Sequence, residues 1–123
     1  MSKIFIVLWM IFFHIADDYY LQGWLASAKQ KSWWEKNSPD ELYKKDYIWA
    51  LIMHAFSWTF MIMLPIAYRM RFNVTAAFIM MFIINWAIHA IVDDLKANKH
   101  LTNLWTDQLI HLFQIVLTAI VLL

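Results

Sequence analysis

The chain has 123 residues, 63% of them hydrophobic and 15% charged, with a formal net charge of +1. Its mean hydropathy is +0.52, and its apolar share lies well above the roughly 45–50% of soluble domains. This length suits one domain, the near-neutral charge gives no footprint for nucleic acid, and the lack of cysteine excludes thiolate chemistry and cysteine-based zinc sites.

One glycine and two prolines argue against a fold rich in loops or hairpins, while abundant Ile, Leu, Met, Phe and Trp suit long helices in lipid. The first apolar segment spans about residues 4–25. A basic Lys3 and the small-x-small triplet Ala26-Ser27-Ala28 resemble a secretory leader. Asp17, Asp18 and Gln22 nevertheless make the stretch between apolar core and cut site too long and too acidic, so an uncut helix is expected. Residues 29–46 are polar, with Trp33 and Trp34 as interfacial anchors. Within them Ser38-Pro39-Asp40-Glu41 reads as a helix start: Ser38 as cap, Pro39 in the first helical position, Glu41 completing a capping box.

The second span is expected over about 47–68, a tight turn at Arg69-Met70-Arg71-Phe72-Asn73, the third span over 74–95, a loop at 96–103 and the fourth span over 104–123. Each holds about 20 residues, which matches a hydrocarbon thickness of roughly 30 Å. Short connections predict an all-α, integral membrane, antiparallel four-helix bundle forming a single domain over 1–123, with an interfacial segment between the first two spans. Lys29, Lys31, Lys36, Lys44, Lys45, Lys96 and Lys99 lie on the side of the first and third loops, against Lys3, Arg69 and Arg71 on the other. That asymmetry predicts both termini outside and those loops in the cytoplasm.

Every span carries a histidine: His14, His54, His89 and His111. Three of them have an aspartate four residues away, in His14/Asp18, His89/Asp93 and Asp107/His111, which puts each pair on one helix face. Such groups cost roughly 2.5–3.5 kcal/mol each for an aspartate or lysine at the centre of a membrane helix. In antiparallel helices all seven residues fall into one layer near the cytoplasmic side, and polar stripes continue through Gln22, Asn85, Gln114 and Thr118.

Each pair alone fits equally an interfacial aspartate beside a hydrogen-bonded histidine, and His54 alone fits a core histidine. Together, four imidazoles and three carboxylates exceed the ligands of one zinc and suit one or two divalent ions, zinc or manganese, with open positions. A metal-free hydrogen-bonded network or proton relay is the alternative. Asp17 lies off the main stripe on an α-helical period, though near enough to substitute for Asp18. Gln22, Asn85 and Gln114 fit supporting or substrate contacts. Trp9, Trp58 and Trp86 fit packing or lipid contact, and Lys29 and Lys31 fit interface anchors or anionic-headgroup contacts.

The order His14-x3-Asp18-x3-Gln22 with Lys29, then His54, then His89-x3-Asp93-x2-Lys96, then Asp107-Gln108-x2-His111, resembles the small phage and bacterial membrane proteins catalogued as domain of unknown function 3307. The resemblance covers all four spans and implies supporting roles for Gln108, Lys29 and Lys96. The doubled Asp17-Asp18 departs from the family pattern, in which one aspartate precedes an aromatic residue. A looser likeness is to bacterial membrane-bound metal-dependent hydrolases. The expected function is therefore hydrolysis of an ester or phosphoester, with Asp93 or Asp107 as general base and a lipid-like substrate. Metal or proton transport, or a non-enzymatic membrane interaction protein with a structural metal, are the alternatives. Membrane lipid is the expected partner, and self-association into a homo-oligomer stays open.

Overall fold

The computed structural model describes residues 2–123, and among them every regular element is helical. Helix α1 runs Lys3–Ile15, begun by the Ser2 side chain, which accepts from the Phe5 amide at 3.1 Å. It continues without a break into a π-helical turn at Ala16–Leu21. The chain then reverses at Gly23, whose φ of +56° lies in the left-handed region, and forms two short helices, α2 (Leu25–Ala28) and α3 (Lys31–Asn37).

The start of the next long helix differs from the expectation placed on Ser38. The Ser38 amide instead closes α3 by donating to Trp34 O at 2.8 Å. Pro39 disfavours helical backbone at the residue before it, and Asp40 takes over as cap, accepting from the Leu42 amide at 3.1 Å to hold a single 3-10 turn at Glu41–Tyr43. Helix α4 begins only at Asp46 and ends at Arg69, carrying Pro65 inside its last turns. Helix α5 spans Ala76–Ala97, capped by Thr75, and α6 spans Leu104–Leu122, capped by Asn103.

Among the described residues four helical segments are long and apolar enough to cross a membrane: Lys3–Leu21, Glu41–Arg69, Ala76–Ala97 and Leu104–Leu122. Helix α4 lies against α1 and α5, and α6 lies against α5 and α1, while α2 and α3 tuck against α4. One half of the interior is apolar, with Ile6, Met10, Ile62, Met63, Ile66 and Ile115 buried together. Trp58 closes that cluster, and the other half holds the polar residues. The outer faces expose Phe5, Phe12, Phe60, Ile83, Phe113 and Ile120, an apolar surface larger than soluble monomers carry.

A Cβ added at Gly23 would meet no atom within 4 Å, so only its positive φ resists substitution. Gly23→Ala is therefore expected to cost about 1–2 kcal/mol through backbone strain, and Gly23→Asn less, since asparagine tolerates this conformation. Thermal melts in detergent measure both, and an alanine variant as stable as the parent would remove the strain argument.

Candidate metal centre

The polar half is assembled from three long helices and the π turn. In the π turn each backbone amide reaches one residue further back than in an α-helix, which widens the turn. Asp17 and Asp18, adjacent in sequence, consequently both face the interior. Asp17 Oδ1 accepts from Ser57 Oγ at 2.6 Å, and its Oδ2 lies 3.8 Å from His54 Nδ1. Asp18 points to the other edge of the same imidazole, its Oδ1 3.2 Å from His54 Nε2.

Four atoms converge beside Asp18. His54 Nε2 lies 3.2 Å from His89 Nε2, 3.2 Å from Asp18 Oδ1 and 3.3 Å from Asp93 Oδ2. His89 Nε2 lies 3.7 Å from Asp18 Oδ1 and 3.5 Å from Asp93 Oδ2. Tetrahedral zinc with ligand bonds of about 2.0–2.1 Å places its ligand atoms about 3.3–3.4 Å apart, close to these five separations. Each imidazole can direct an Nε2–H at one of the carboxylate oxygens; with both ε nitrogens deprotonated, the same four atoms instead offer a cation two nitrogen lone pairs and two carboxylate oxygens. His54, His89 and Asp93 lie close enough together to hold a metal ion, as do Asp17, Asp18 and His54, and neutral imidazole with carboxylate is a donor set that divalent first-row metals take.

A second group adjoins the first through Asp93. His111 Nε2 lies 3.5 Å from Asp93 Oδ1 and 3.3 Å from Asp107 Oδ1. Neither His111 Nε2 nor Asp107 Oδ1 has a hydrogen-bond partner, although both residues are fully buried.

Two hydrogen-bond chains fix the histidine tautomers. Gln114 Nε2 donates to the backbone carbonyl of Asn85 at 3.2 Å, which forces Gln114 Oε1 toward His111 Nδ1 at 2.9 Å. His111 Nδ1 therefore carries hydrogen, and its Nε2 presents a lone pair or a further proton to the carboxylates. Asn85 is held in turn by donating to Thr118 Oγ1 at 2.7 Å.

At His14, the Trp58 indole donates to Nδ1 at 2.8 Å, so the hydrogen sits on Nε2 and is donated to Gln108 Oε1, also at 2.8 Å. Gln108 Nε2 passes the chain on to Asp107 Oδ2 at 2.9 Å and, weakly, to Asp18 Oδ2 at 3.4 Å. Outer partners of this kind set ligand orientation and proton position. His89 is held differently: its Nδ1 has no partner, and its ring is stacked between Trp58 at 4.2 Å and His111 at 4.0 Å.

Two ammonium groups reach the layer. Lys29 Nζ donates to Asp93 Oδ2 at 2.9 Å and Lys96 Nζ to Asp107 Oδ2 at 3.0 Å. Asn98 secures the Lys29 backbone by donating to its carbonyl at 2.9 Å while accepting from the Lys31 amide at 2.6 Å.

Of the residues singled out from sequence, Asp18, His54, His89, Asp93, Asp107 and His111 stand together around the two groups. His14 is beside them with both ring nitrogens engaged. Gln22 turns back to its own helix, donating to Asp18 O at 3.0 Å. Asn85, Gln108 and Gln114 form the supporting chains, and Lys29 is a buried partner of Asp93, beyond an interface role. Ser57 and Trp58 were not read from sequence as parts of this layer, and Asp17 was read only as a substitute for Asp18. The signal for Asp17 was the adjacency of two acids in an apolar helix, each of which needs a partner. No family model matches the chain, and no curated protein or solved structure is similar to it.

Trp58→Phe keeps an aromatic ring against His89 but removes the donor to His14 Nδ1. Leaving that buried nitrogen unpaired is expected to cost about 1–3 kcal/mol. A double-mutant cycle with His14→Phe in thermal melts checks the pairing, and additive effects would show that the bond carries no coupling.

Proposed function

We propose that this chain is an integral membrane hydrolase that uses a divalent metal ion, zinc or manganese, to cleave an ester or phosphoester of a lipid-like substrate at the cytoplasmic leaflet. The observation that carries the reading is the set of His54 Nε2, His89 Nε2, Asp18 Oδ1 and Asp93 Oδ2, in which each nitrogen lies 3.2 to 3.7 Å from the other nitrogen and from both oxygens. These four residues would hold the ion, and a reacting water would need a further position, which five-coordinate zinc or six-coordinate manganese offers; there the ion would supply Lewis acidity and lower the pKa of water toward neutrality.

Asp18 has the most accessible carboxylate of the set, its side chain 9% exposed against 2% for Asp93. Its Oδ2 accepts only the long hydrogen bond from Gln108. In this reading Asp18 Oδ2 takes the proton from the attacking water. Asp93 and Asp107, the bases expected from sequence, are instead committed to Lys29 and to Lys96 with Gln108. An apolar groove of about 270 Å³ between α4 and α5, lined by Ile48, Leu51, Ile52 and Ile91 with Tyr47 and Asp94, adjoins the α5 segment that carries His89 and Asp93. Its apolar length beside polar chemistry supports a substrate with a lipid tail.

Paired contacts support an antiparallel bundle. Trp9 meets Tyr68 while Asp18 meets His54, and Asn85 meets Thr118 while Asp93 meets His111. Residue numbers thus rise along one helix as they fall along its neighbour. The exposed apolar faces support insertion in a membrane. The apolar cluster of Ile6, Met10, Ile62, Met63, Ile66 and Ile115 fills the half of the interior beyond the polar layer, which weighs against a metal or proton conduit. Full burial of His89, Asp107 and His111 favours one second reading: a metal that holds the bundle together in a non-enzymatic membrane protein.

Elemental analysis of the detergent-purified chain is expected to find about one divalent ion per chain. A His54→Gln/His89→Gln variant of unchanged helicity should retain less than a tenth of it. Metal below that level in the parent would overturn the reading. With metal present, turnover of short-chain phosphoester and ester lipids that stops on chelation supports the hydrolase. Metal without turnover favours the structural centre.

The chain has no cysteine, so single-cysteine variants report orientation directly. An impermeant maleimide applied to bacterial spheroplasts is expected to label Asn73→Cys and to spare Ser38→Cys until the membrane is opened. The opposite pattern would invert the topology.

A further inference from the structure

We propose that Asp93 bridges two divalent-cation positions, the second being formed by His111 Nε2, Asp107 Oδ1 and Asp93 Oδ1 and filled in exchange for the Lys29 ammonium. This rests on the metal reading above and adds to it. Three observations carry it.

The first is geometric. Asp93 divides its oxygens: Oδ2 faces His54 and His89 at 3.3 and 3.5 Å, and Oδ1 faces His111 at 3.5 Å. A carboxylate spread in this way between two ligand groups is what paired-metal hydrolases use to hold ions about 3.5–4 Å apart.

The second is the state of the donors. His111 Nε2 and Asp107 Oδ1 face each other at 3.3 Å, fully buried and without hydrogen bonds. Unpaired buried polar atoms each cost about 1–3 kcal/mol, and either a proton on His111 Nε2 or a metal cation between them removes both deficits, the metal also reaching Asp93 Oδ1. The Gln114–Asn85–Thr118 chain holds hydrogen on His111 Nδ1, leaving Nε2 as the atom available to a cation.

The third is charge. Asp17, Asp18, Asp93 and Asp107 contribute four formal negative charges to the layer, and Lys29 and Lys96 return two positive ones, leaving −2. One divalent ion neutralises that remainder. A second would leave the layer at +2 unless the lysines withdraw. Lys29 is the one that touches the bridging carboxylate, at 2.9 Å on Oδ2, the oxygen turned to His54 and His89, so it opposes the second ion by its charge and not by occupying Oδ1. Its flexible stem, in the short link between α2 and α3, can carry the ammonium out to headgroups. Lys96 pairs with Asp107 Oδ2 and leaves Oδ1 free.

The test is a manganese titration of the full chain in detergent, with bound metal measured by equilibrium dialysis and the pair read by electron paramagnetic resonance. The parent should bind one ion tightly and a second more weakly, with an exchange-coupled spectrum at saturation. Lys29→Met should tighten the second ion at least tenfold. His111→Gln should abolish the second ion and keep the first. One tight ion with no second up to millimolar manganese in either the parent or Lys29→Met overturns the bridge alone. A second ion indifferent to both substitutions does the same. Absence of any tight ion in the parent overturns the metal reading together with the bridge.

Discussion

Asp93 is the constraint around which the polar half is arranged. One of its oxygens accepts from Lys29, and its two oxygens together lie within 3.5 Å of His54, His89 and His111. Two unit charges about 4 Å apart interact by about 4 kcal/mol at an effective dielectric of 20. A buried acid beside Asp18 and Asp107 is therefore tolerable only with cations or hydrogen donors around it. Each neighbouring element answers that demand: α4 with His54, α6 with His111, and the α2–α3 link with Lys29. Removing Asp93 would leave Lys29 buried without its partner, which is more costly than never having built the pair.

The regular parts of this arrangement were legible in the sequence, because they obey the α-helical period. Asn85, His89 and Asp93 follow one stripe on α5, and Asp107, His111, Gln114 and Thr118 follow one stripe on α6. Spacing alone gives those faces. The π turn at Ala16–Leu21 breaks that period, so Asp17 fell off the stripe on paper while its carboxylate turns inward to Ser57. Lys29, given a supporting role only by the resemblance, had a partner that spacing could not reveal. A lysine in a polar loop is ordinarily solvated, and only the docking of the α2–α3 link, secured by Asn98, carries its ammonium to Asp93. The shift from Ser38 to Asp40 as cap reflects a competition between adjacent capping residues that composition does not rank.

Trp58 links the two halves of the interior. Its ring belongs to the apolar cluster with Met10, Ile62 and Ile115, while its indole nitrogen donates to His14 and its face covers His89. Tryptophan suits a boundary of this kind because one side chain offers a large apolar surface and a single donor. The apolar cluster keeps water from the far side of the imidazoles. That exclusion strengthens the electrostatic contacts among them and raises the cost of any unpaired atom.

For helices in lipid, burial of apolar side chains supplies little drive to associate, since lipid tails are as apolar as leucine. Interhelical hydrogen bonds and ion pairs then contribute a larger share of specificity. In this chain those contacts lie in the polar layer: His14 to Gln108 joins α1 to α6, Trp86 to the Ile52 carbonyl joins α5 to α4, and Asn85 to Thr118 joins α5 to α6. Three of the four imidazoles and the carboxylates that would hold a metal are thus interleaved with the contacts that align the helices. A cation taken up there would draw α1, α4, α5 and α6 together at one end, and its loss would loosen them at that same end. On the membrane reading, chemistry and helix registration therefore share one set of side chains. Substitutions in the layer have to be judged by metal content and by melting temperature together, because either quantity alone would confuse a lost ligand with a lost helix contact.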